Sequence, residues 1–323
     1  MRILFLRRCE KAVILPERKD VHTMELRHVL GNTWVAEANT ALLPVYKITE
    51  KDIVLIDTGY AKLDRSGLTA MIEDNGFHLR GVICSHAHFD HSGNVRYLQQ
   101  RCGARAAAHI IEAGISVNPD AYRANYVALT YGKSREYFLE ECFTADAIIG
   151  PEDEYLDFCG VRFGILPLPG HSAGHIGVVT PDNVAYVGDC LLDQQQIDSA
   201  KLPTSMFIAK DLESKASLRS TDYPAYIIAH KQIITDRAEL SALIDSNIAF
   251  IHRKERELLD DLTDGMTFSD WIYAFCQREN IRTRQELKFS IVERNFTNFT
   301  DWLTDTGKVR VERDFCAKRY YHG

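Results

Sequence analysis

The sequence predicts a mixed α/β fold, with sheets covered by helices, followed by a smaller helical domain that ends in a β-hairpin. Three observations predict it. Short apolar runs punctuated by turn residues alternate with helical stretches through the first two thirds of the chain. The periodicity turns helical and long after about residue 236. The 323 residues are many for one domain and few for two large ones. The expected division is residues 1–235 and 236–323.

The individual elements follow from local signals. Leu43–Ile48 reads as a strand, Lys51-Asp52 as a turn and Ile53–Ile56 as its hairpin partner. Gly81–Ser85 is a short buried strand. Tyr155–Phe158 with Val161–Leu166 forms a hairpin around Gly160, and Ile176–Thr180 with Val184–Val187 forms one around Pro181-Asp182-Asn183. Ala225–Ala229 is expected to be the last strand of the first domain. Asn94–Gln100 and Leu212–Arg219 read as helices. Asp236–Leu262 is one long helix with Ile244, Ile248 and Ile251 on a face. A second helix starts at Thr267 as N-cap, and a third spans Arg284–Leu303, with Leu287, Ile291 and Phe299 broadly on one side. Val309–Val311 and Ala317–Tyr321 then pair as a wing. Helices followed by such a wing resemble a winged-helix domain. Between Ala106 and Gly150, Tyr122, Tyr126, Tyr131, Tyr137, Phe138 and Phe143 read as the buried aromatics of a helical insertion rather than as a substrate wall.

Composition narrows the function classes. With 46% hydrophobic and 26% charged residues the chain is ordinary globular material, neither disordered nor fibrous. A net charge of -7 disfavours a broad phosphate-backbone binder. The apolar run at the N-terminus stops at Arg7 and Arg8, too short for a signal sequence. No stretch approaches the roughly 18 apolar residues of a membrane span. Eight cysteines lack any Cys-x-x-Cys pair, and several sit in apolar runs. Buried free thiols and a cytoplasmic location are therefore expected.

The chemistry concentrates in Ser85-His86-Ala87-His88-Phe89-Asp90-His91-Ser92-Gly93, directly after an apolar strand. Imidazole nitrogens and carboxylate oxygens suit zinc and related divalent ions. A loop leaving a strand can turn His86 and His88 one way and Asp90 and His91 the other, which would feed two adjacent metal positions.

His-x-His-x-Asp-His resembles the signature of the metallo-β-lactamase superfamily, and further landmarks follow in that family's order over about residues 30–235. Ile56-Asp57-Thr58-Gly59 resembles its early Asp-Thr-Gly turn, with Asp57 bracing the metal loop. Pro169-Gly170-His171-Ser172-Ala173-Gly174-His175, Val187-Gly188-Asp189 and Ile227-Ile228-Ala229-His230 resemble its later ligand elements, with Ala229 where glycine is common. The resemblance implies an αββα sandwich. It implies that His86, His88 and His171 hold one metal, that Asp90, His91 and His230 hold a second, and that Asp189 bridges them. It also implies two divalent ions, zinc first, with iron or manganese as alternatives. Some true β-lactamases place a thiolate near position 189. Asp189, with Cys190 beside it, favours the glyoxalase-II-like and lactonase-like binuclear branch. His88 stands where diiron relatives carry Glu. His175 is expected to hydrogen-bond around the His171 loop. His22, His28, His78, His109, His252 and His322, and the thiols Cys84 and Cys190, are expected to be structural.

The resemblance further implies a hydrolase. Two ions about 3.5–4 Å apart can share a water and lower its pKa from about 15.7 toward 7, making a bridging hydroxide the nucleophile. Asp90 would be the catalytic residue, orienting that hydroxide and handing a proton to the leaving group. The expected substrate is a small ester, thioester or lactone. Glyoxalase II itself fits less well, for want of a basic cluster in the C-terminal part. Two alternatives remain open: an endoribonuclease or phosphodiesterase, and a mononuclear-iron enzyme like the persulfide dioxygenases. The basic residues Arg253, Lys254, Arg256, Arg282, Arg284, Lys308, Arg310 and Arg313 are interleaved with acids, so a solvated charged face is preferred to a nucleic-acid surface. A small-molecule substrate is the expected partner, no membrane is expected, and a homodimer is left open.

Overall fold

The computed structural model describes residues 24–125 and 129–323; Arg7, Arg8, Cys9, His22 and Tyr126 lie outside them. Among the described residues the first sheet has seven strands in chain order: β1 (Leu26–Leu30), β2 (Thr33–Glu37), β3 (Leu42–Lys47), β4 (Asp52–Ile56), β5 (His78–Cys84), β6 (Arg105–His109) and β7 (Ala147–Ile149). β1 to β4 run antiparallel to one another, and β4 to β7 run parallel. Helices α1 (Ala61–Asp74), α2 (Phe89–Ser92) and α3 (Val95–Cys102) make or extend the crossovers, as parallel strands require. Helices α4 (Ile110–Ser116), α5 (Pro119–Asn125) and α6 (Tyr131–Phe138) fill the excursion before β7.

The second sheet holds β8 (Tyr155–Phe158), β9 (Val161–Pro167), β10 (Ile176–Val179), β11 (Val184–Tyr186), β12 (Ala225–Ile228) and β13 (Gln232–Ile234), ordered β13-β12-β11-β10-β9-β8. Only β11 and β12 pair in parallel; α7 (Gln194–Ser199) and α8 (Ile208–Ser217) lie between them in the chain. β12 is thus followed by one more strand. Lys231, at φ 78°, turns the chain back into β13, a tight reversal that carries no glycine to announce it.

Strand alternation assigns each side chain to a layer. Val54, Ile56 and Ile83 point into the core between the sheets, where they meet Phe163, Ile165, Val178, Tyr186 and Ile227. Ile53, Leu55, Val82 and Cys84 point outward onto Leu68, Met71 and Leu98 of α1 and α3. On the far side, Ala185, Tyr226 and Ile228 carry Leu240, Leu243 and Ile244. These layers are the αββα sandwich that the resemblance implies.

Helix α9 (Arg237–Asp261) begins at an Asp236 cap whose carboxylate accepts from the amides of Ala238 and Glu239. Its first half covers the second sheet. Its second half sends Ile251 and Leu258 into a separate core with Trp271, Phe275, Phe296, Phe299 and Leu303, from α10 (Phe268–Arg278) and α11 (Glu286–Asp305). A capping box between Thr267 and Asp270 starts α10. On α11 the buried stripe is Asn295, Phe296, Phe299 and Leu303; Leu287 and Ile291 are only half-buried. The hairpin β14 (Val309–Asp314) and β15 (Ala317–His322) closes the chain, and Met266 bridges to Tyr320.

Several basic residues of this part are paired with acids. Lys254 lies 2.8 Å from both Glu257 and Glu279, Lys308 pairs with Glu255, and Arg310 pairs with Glu312. All seven cysteines among the described residues are free. No helix among the described residues is long and apolar enough to cross a membrane.

The aromatic segment divides. Tyr122 and Phe138 stack at 4.7 Å and are buried with Ala87, and Phe143 joins the α1–α3 layer, but Tyr131 is exposed. Behind α6, Glu141 is 6% exposed, and burial pushes its carboxyl from 4.5 up to about 7 despite Lys62 and Arg65 nearby. The folded state therefore holds a proton that the unfolded chain has released across that interval. Stability from this group is full below pH 4.5 and is lost as pH rises through 7. In urea unfolding, Glu141→Gln is expected to gain on the parent by about 2–3 kcal/mol more at pH 8 than at pH 5. Parallel profiles for the two proteins would refute this.

Candidate metal centre

Strand ends build the site. Asp57 follows β4, His86 and His88 follow β5, Asp189 follows β11 and His230 follows β12, so parallel strands deliver four segments to one edge of the sandwich. The loop between β9 and β10 adds His171. The short helix α2 turns the chain after His88, which carries Asp90 and His91 onto the other side.

The resulting distances are short. His88 Nδ1 lies 3.0 Å from His86 Nε2 and 2.9 Å from His171 Nε2. Asp189 Oδ1 lies 3.3 Å from His91 Nε2 and 3.2 Å from His230 Nε2, and its Oδ2 lies 3.3 Å from His171 Nε2. Two groups of donors have all their ligand atoms within 4.8 Å of one another: His86, His88 and His171, and Asp90, His91 and His230. The structure therefore brings all seven predicted residues together. Asp57, His86 and His91 also meet this spacing. Asp57, however, is already saturated. Its carboxylate accepts from Ser85 N and Oγ at 2.7 and 2.6 Å, from Tyr186 Oη at 2.7 Å and from His91 Nδ1 at 2.9 Å. These contacts hold Asp57 at φ 60°, a left-handed conformation costly for a residue with a Cβ.

The far side of each ring is anchored too. His171 Nδ1 donates to Thr204 O at 2.8 Å, His230 Nδ1 donates to Thr40 O at 2.8 Å, and His86 Nδ1 meets Ser85 Oγ at 2.9 Å. Such outer bonds fix the tautomer and aim the opposite nitrogen inward. His175 is buried, and its Nε2 accepts from Asp189 N at 3.1 Å. It therefore supports the Asp189 turn rather than the His171 loop. Gly188, at φ 53°, has no room for a Cβ, which would sit 2.6 Å from His175 Nε2.

Electrostatics separate the two halves of the site. Burial, with help from neighbouring cations, holds His86 and His88 well below the usual histidine range, and burial takes His171 to about 3 and His175 to about 4. These rings are neutral and keep the lone pair that a metal needs. Burial also opposes charge on His91, but Asp189 and Asp90 outweigh it and hold His91 well above 6.5. Burial opposes charge on Asp189 as well, and His91, His230 and His171 outweigh it. A buried carboxylate ringed by imidazoles calls for a cation. His91 Nε2 and Asp189 Oδ1 are buried without a hydrogen bond, and the separations near 3 Å approach the roughly 3.3 Å between nitrogens around tetrahedral zinc. The donor set thus fits divalent metal.

Several supports were not legible in the sequence. Glu112 on α4 is 1% exposed; one carboxylate oxygen accepts from Ala87 N at 2.8 Å, and the other accepts from Ser172 Oγ and Gly174 N at 2.8 and 2.7 Å. It ties the His86/His88 loop to the His171 loop. Its one outward signal is a single acid inside the apolar run Ile110-Ile111-Glu112-Ala113-Gly114-Ile115. Glu112→Ala should weaken metal affinity about 10–100-fold while circular dichroism stays native. Unchanged affinity by chelator competition would dismiss the clamp.

A family model described as "Metallo-beta-lactamase superfamily" matches residues 43–230, more than half of the chain. The chain belongs to this superfamily. Hydroxyacylglutathione hydrolase GloC of Haemophilus influenzae is 30% identical over 145 residues, 44% of this chain and 62% of that protein. A hydroxyacylglutathione hydrolase of Ectopseudomonas mendocina is 28% identical over 130 residues, 40% of this chain and 39% of that one. The matched stretch thus spans less than two thirds of the length of either relative. In fold, a metallo-β-lactamase family protein of Thermus thermophilus superposes with a TM-score of 0.68 at 17% identity, covering 94% of this chain and 99% of its own. A beta-lactamase domain protein of Burkholderia ambifaria gives 0.66 at 15%, covering 95% and 96%. The chain is thus a member of the metallo-β-lactamase superfamily that carries His/Asp clusters spaced to hold a metal ion.

Proposed function

We propose that the enzyme holds two divalent ions, zinc by the chemistry of its donors, and hydrolyses a small ester, thioester or lactone. The seat of Asp189 carries this reading: one carboxylate stands 3.2–3.3 Å from imidazole nitrogens of both triads. His86, His88 and His171 would hold one ion, Asp90, His91 and His230 the other, and Asp189 would bridge them. Bound ions supply Lewis acidity and an acidified water at neutral pH.

The chain's own residues do the rest. Asp57, Thr204 O and Thr40 O keep the rings aimed. Asp90 is a third exposed, so it has a face toward solvent and substrate; its second carboxylate oxygen would orient the attacking water and pass a proton to the leaving group. The relatives named hydroxyacylglutathione hydrolases support an acyl substrate over a phosphoryl one. Free thiols support a reducing, cytoplasmic setting.

On this reading residues 1–235 carry catalysis, and residues 236–323 are a winged-helix-like part that shapes the pocket. The docking of α11 supports the second role, since Asn295 Nδ2 donates to Thr204 Oγ1 at 3.3 Å and Asn298 Nδ2 to Ser205 O at 2.8 Å. Metal analysis of the purified protein, followed by ester, thioester, lactone and phosphodiester substrates, tests the proposal. Two equivalents of zinc and turnover of an acyl substrate are expected. Activity without metal, or turnover of phosphodiesters alone, would overturn it.

A further inference from the structure

A cavity of about 320 Å³ opens between β5, β6 and the β8–β9 hairpin, at the strand ends opposite the metal loops. Arg80, Arg105, Cys102 and Cys159 line it with Leu79 and Gly103, and no acidic residue does. Arg80 precedes Gly81 in the chain, and Arg105 stands across from Gly81 in the parallel ladder. Cys159 Sγ packs onto Gly81 itself, where a Cβ would lie 2.9 Å from the sulfur. The thiol is thus seated on a glycine that both arginines flank. No hydrogen bond or ion pair with a described residue occupies either guanidinium. Arg105 rests over the Phe158 ring, its Cζ 5.3 Å from the centroid, which leaves the N–H edge free. The turn holds the sulfur in place. Phe158 pairs with Val161, so Cys159 and Gly160 form a two-residue loop, at φ 54° and 81°. Such loops favour asparagine, aspartate or glycine, and a cysteine carries a conformational cost there.

We propose that Cys159 is a site of reversible thiolation by a small disulfide bearing carboxylates, which Arg80 and Arg105 hold. The step is thiol–disulfide exchange. Cys159 releases its proton to solvent, and its thiolate attacks one sulfur of the disulfide. The bond between the two ligand sulfurs breaks, and the far half leaves as a thiolate. The ligand disulfide is the oxidant, so one disulfide is consumed and one is formed. Guanidinium forks match carboxylates, and two cations with no lining acid favour an anionic disulfide over a neutral or cationic one. Charge also singles out Cys159 over Cys102. Burial pushes the Cys159 thiol up, and Arg105 and Arg80 act against it. At Cys102 burial acts the same way and Arg101 opposes it, but Glu73 reinforces it. The adduct would stand at the other end of β5 from His86 and His88, so the proposal does not depend on the hydrolase reading.

The test treats the full-length protein, at mildly alkaline pH, with 3,3′-dithiodipropionate, bis(2-hydroxyethyl) disulfide or cystamine. These differ in their terminal groups: anionic, neutral and cationic. After quenching with N-ethylmaleimide, peptide mass mapping reads the rate at each cysteine. The anionic disulfide is expected to modify Cys159 ahead of Cys102. The ratio of anionic to cationic rates at Cys159 should fall about tenfold or more in Arg80→Gln/Arg105→Gln. Comparing ratios cancels the different reactivities of the leaving thiols. Sodium chloride at about 0.5 M should compress the same ratio in the parent, a reading that needs no variant. Cys159→Asn, which suits the turn, should leave the protein folded and remove the adduct. Modification at Cys102 in preference to Cys159, no adduct at Cys159 with the anionic disulfide, or a ratio untouched by the arginine variant or by salt would overturn the proposal.

Discussion

Asp189→Ala is expected to lose at least one metal equivalent and to lower kcat/KM by about 10³-fold or more, some 4 kcal/mol of transition-state stabilisation. The reason is electrostatic. Asp189 is a buried carboxylate that touches His91, His171 and His230. Without it, two dications would face each other with no shared anion between them. His86→Ala should behave alike by removing one nitrogen of a three-imidazole group. The measurement is metal stoichiometry beside steady-state kinetics on one preparation. Full occupancy and full activity in either variant would remove these residues from the site. A native circular dichroism spectrum separates loss of metal from loss of fold.

Trp271→Ala should be the most damaging change away from the site, lowering unfolding free energy by about 3–5 kcal/mol. Trp271 is fully buried, packs edge-on against Phe296 at 5.4 Å, and donates its indole N–H to Leu258 O at 2.9 Å. The substitution opens a cavity and strands a carbonyl at the junction of α9, α10 and α11. Guanidinium titration would show it as a lower midpoint, and a loss under about 1 kcal/mol would mean that this core is soft. Because α11 also braces Thr204, whose carbonyl anchors His171, metal affinity should fall with stability.

What could be read in advance depended on how far apart in the chain the cooperating residues lie. His86, His88, Asp90 and His91 announce themselves because one strand end and one turn carry all four. Asp189 and His230 were legible because each closes an apolar strand in a recognisable order. Glu112, Tyr186, Thr40 and Thr204 were not, since each acts through one side chain or one carbonyl whose partner is set only by packing. The strands followed the same rule. Most of β4 and the second half of β5 are continuous apolar runs, whereas β13 is three residues after an unmarked reversal at Lys231. For His175 the motif implied a ring hydrogen-bonded around the His171 loop, but its partner, the Asp189 amide, belongs to a different strand end.

Helix α9 is 25 residues long, about 37 Å from end to end. It is a girder common to both cores, with Leu240 and Ile244 seated on one and Ile251 and Leu258 on the other. Severing the chain where the composition changes, just ahead of this rod, would strip the catalytic half of its roof and leave Tyr226 and Ile228 facing water. The two halves are therefore expected to melt in one cooperative transition.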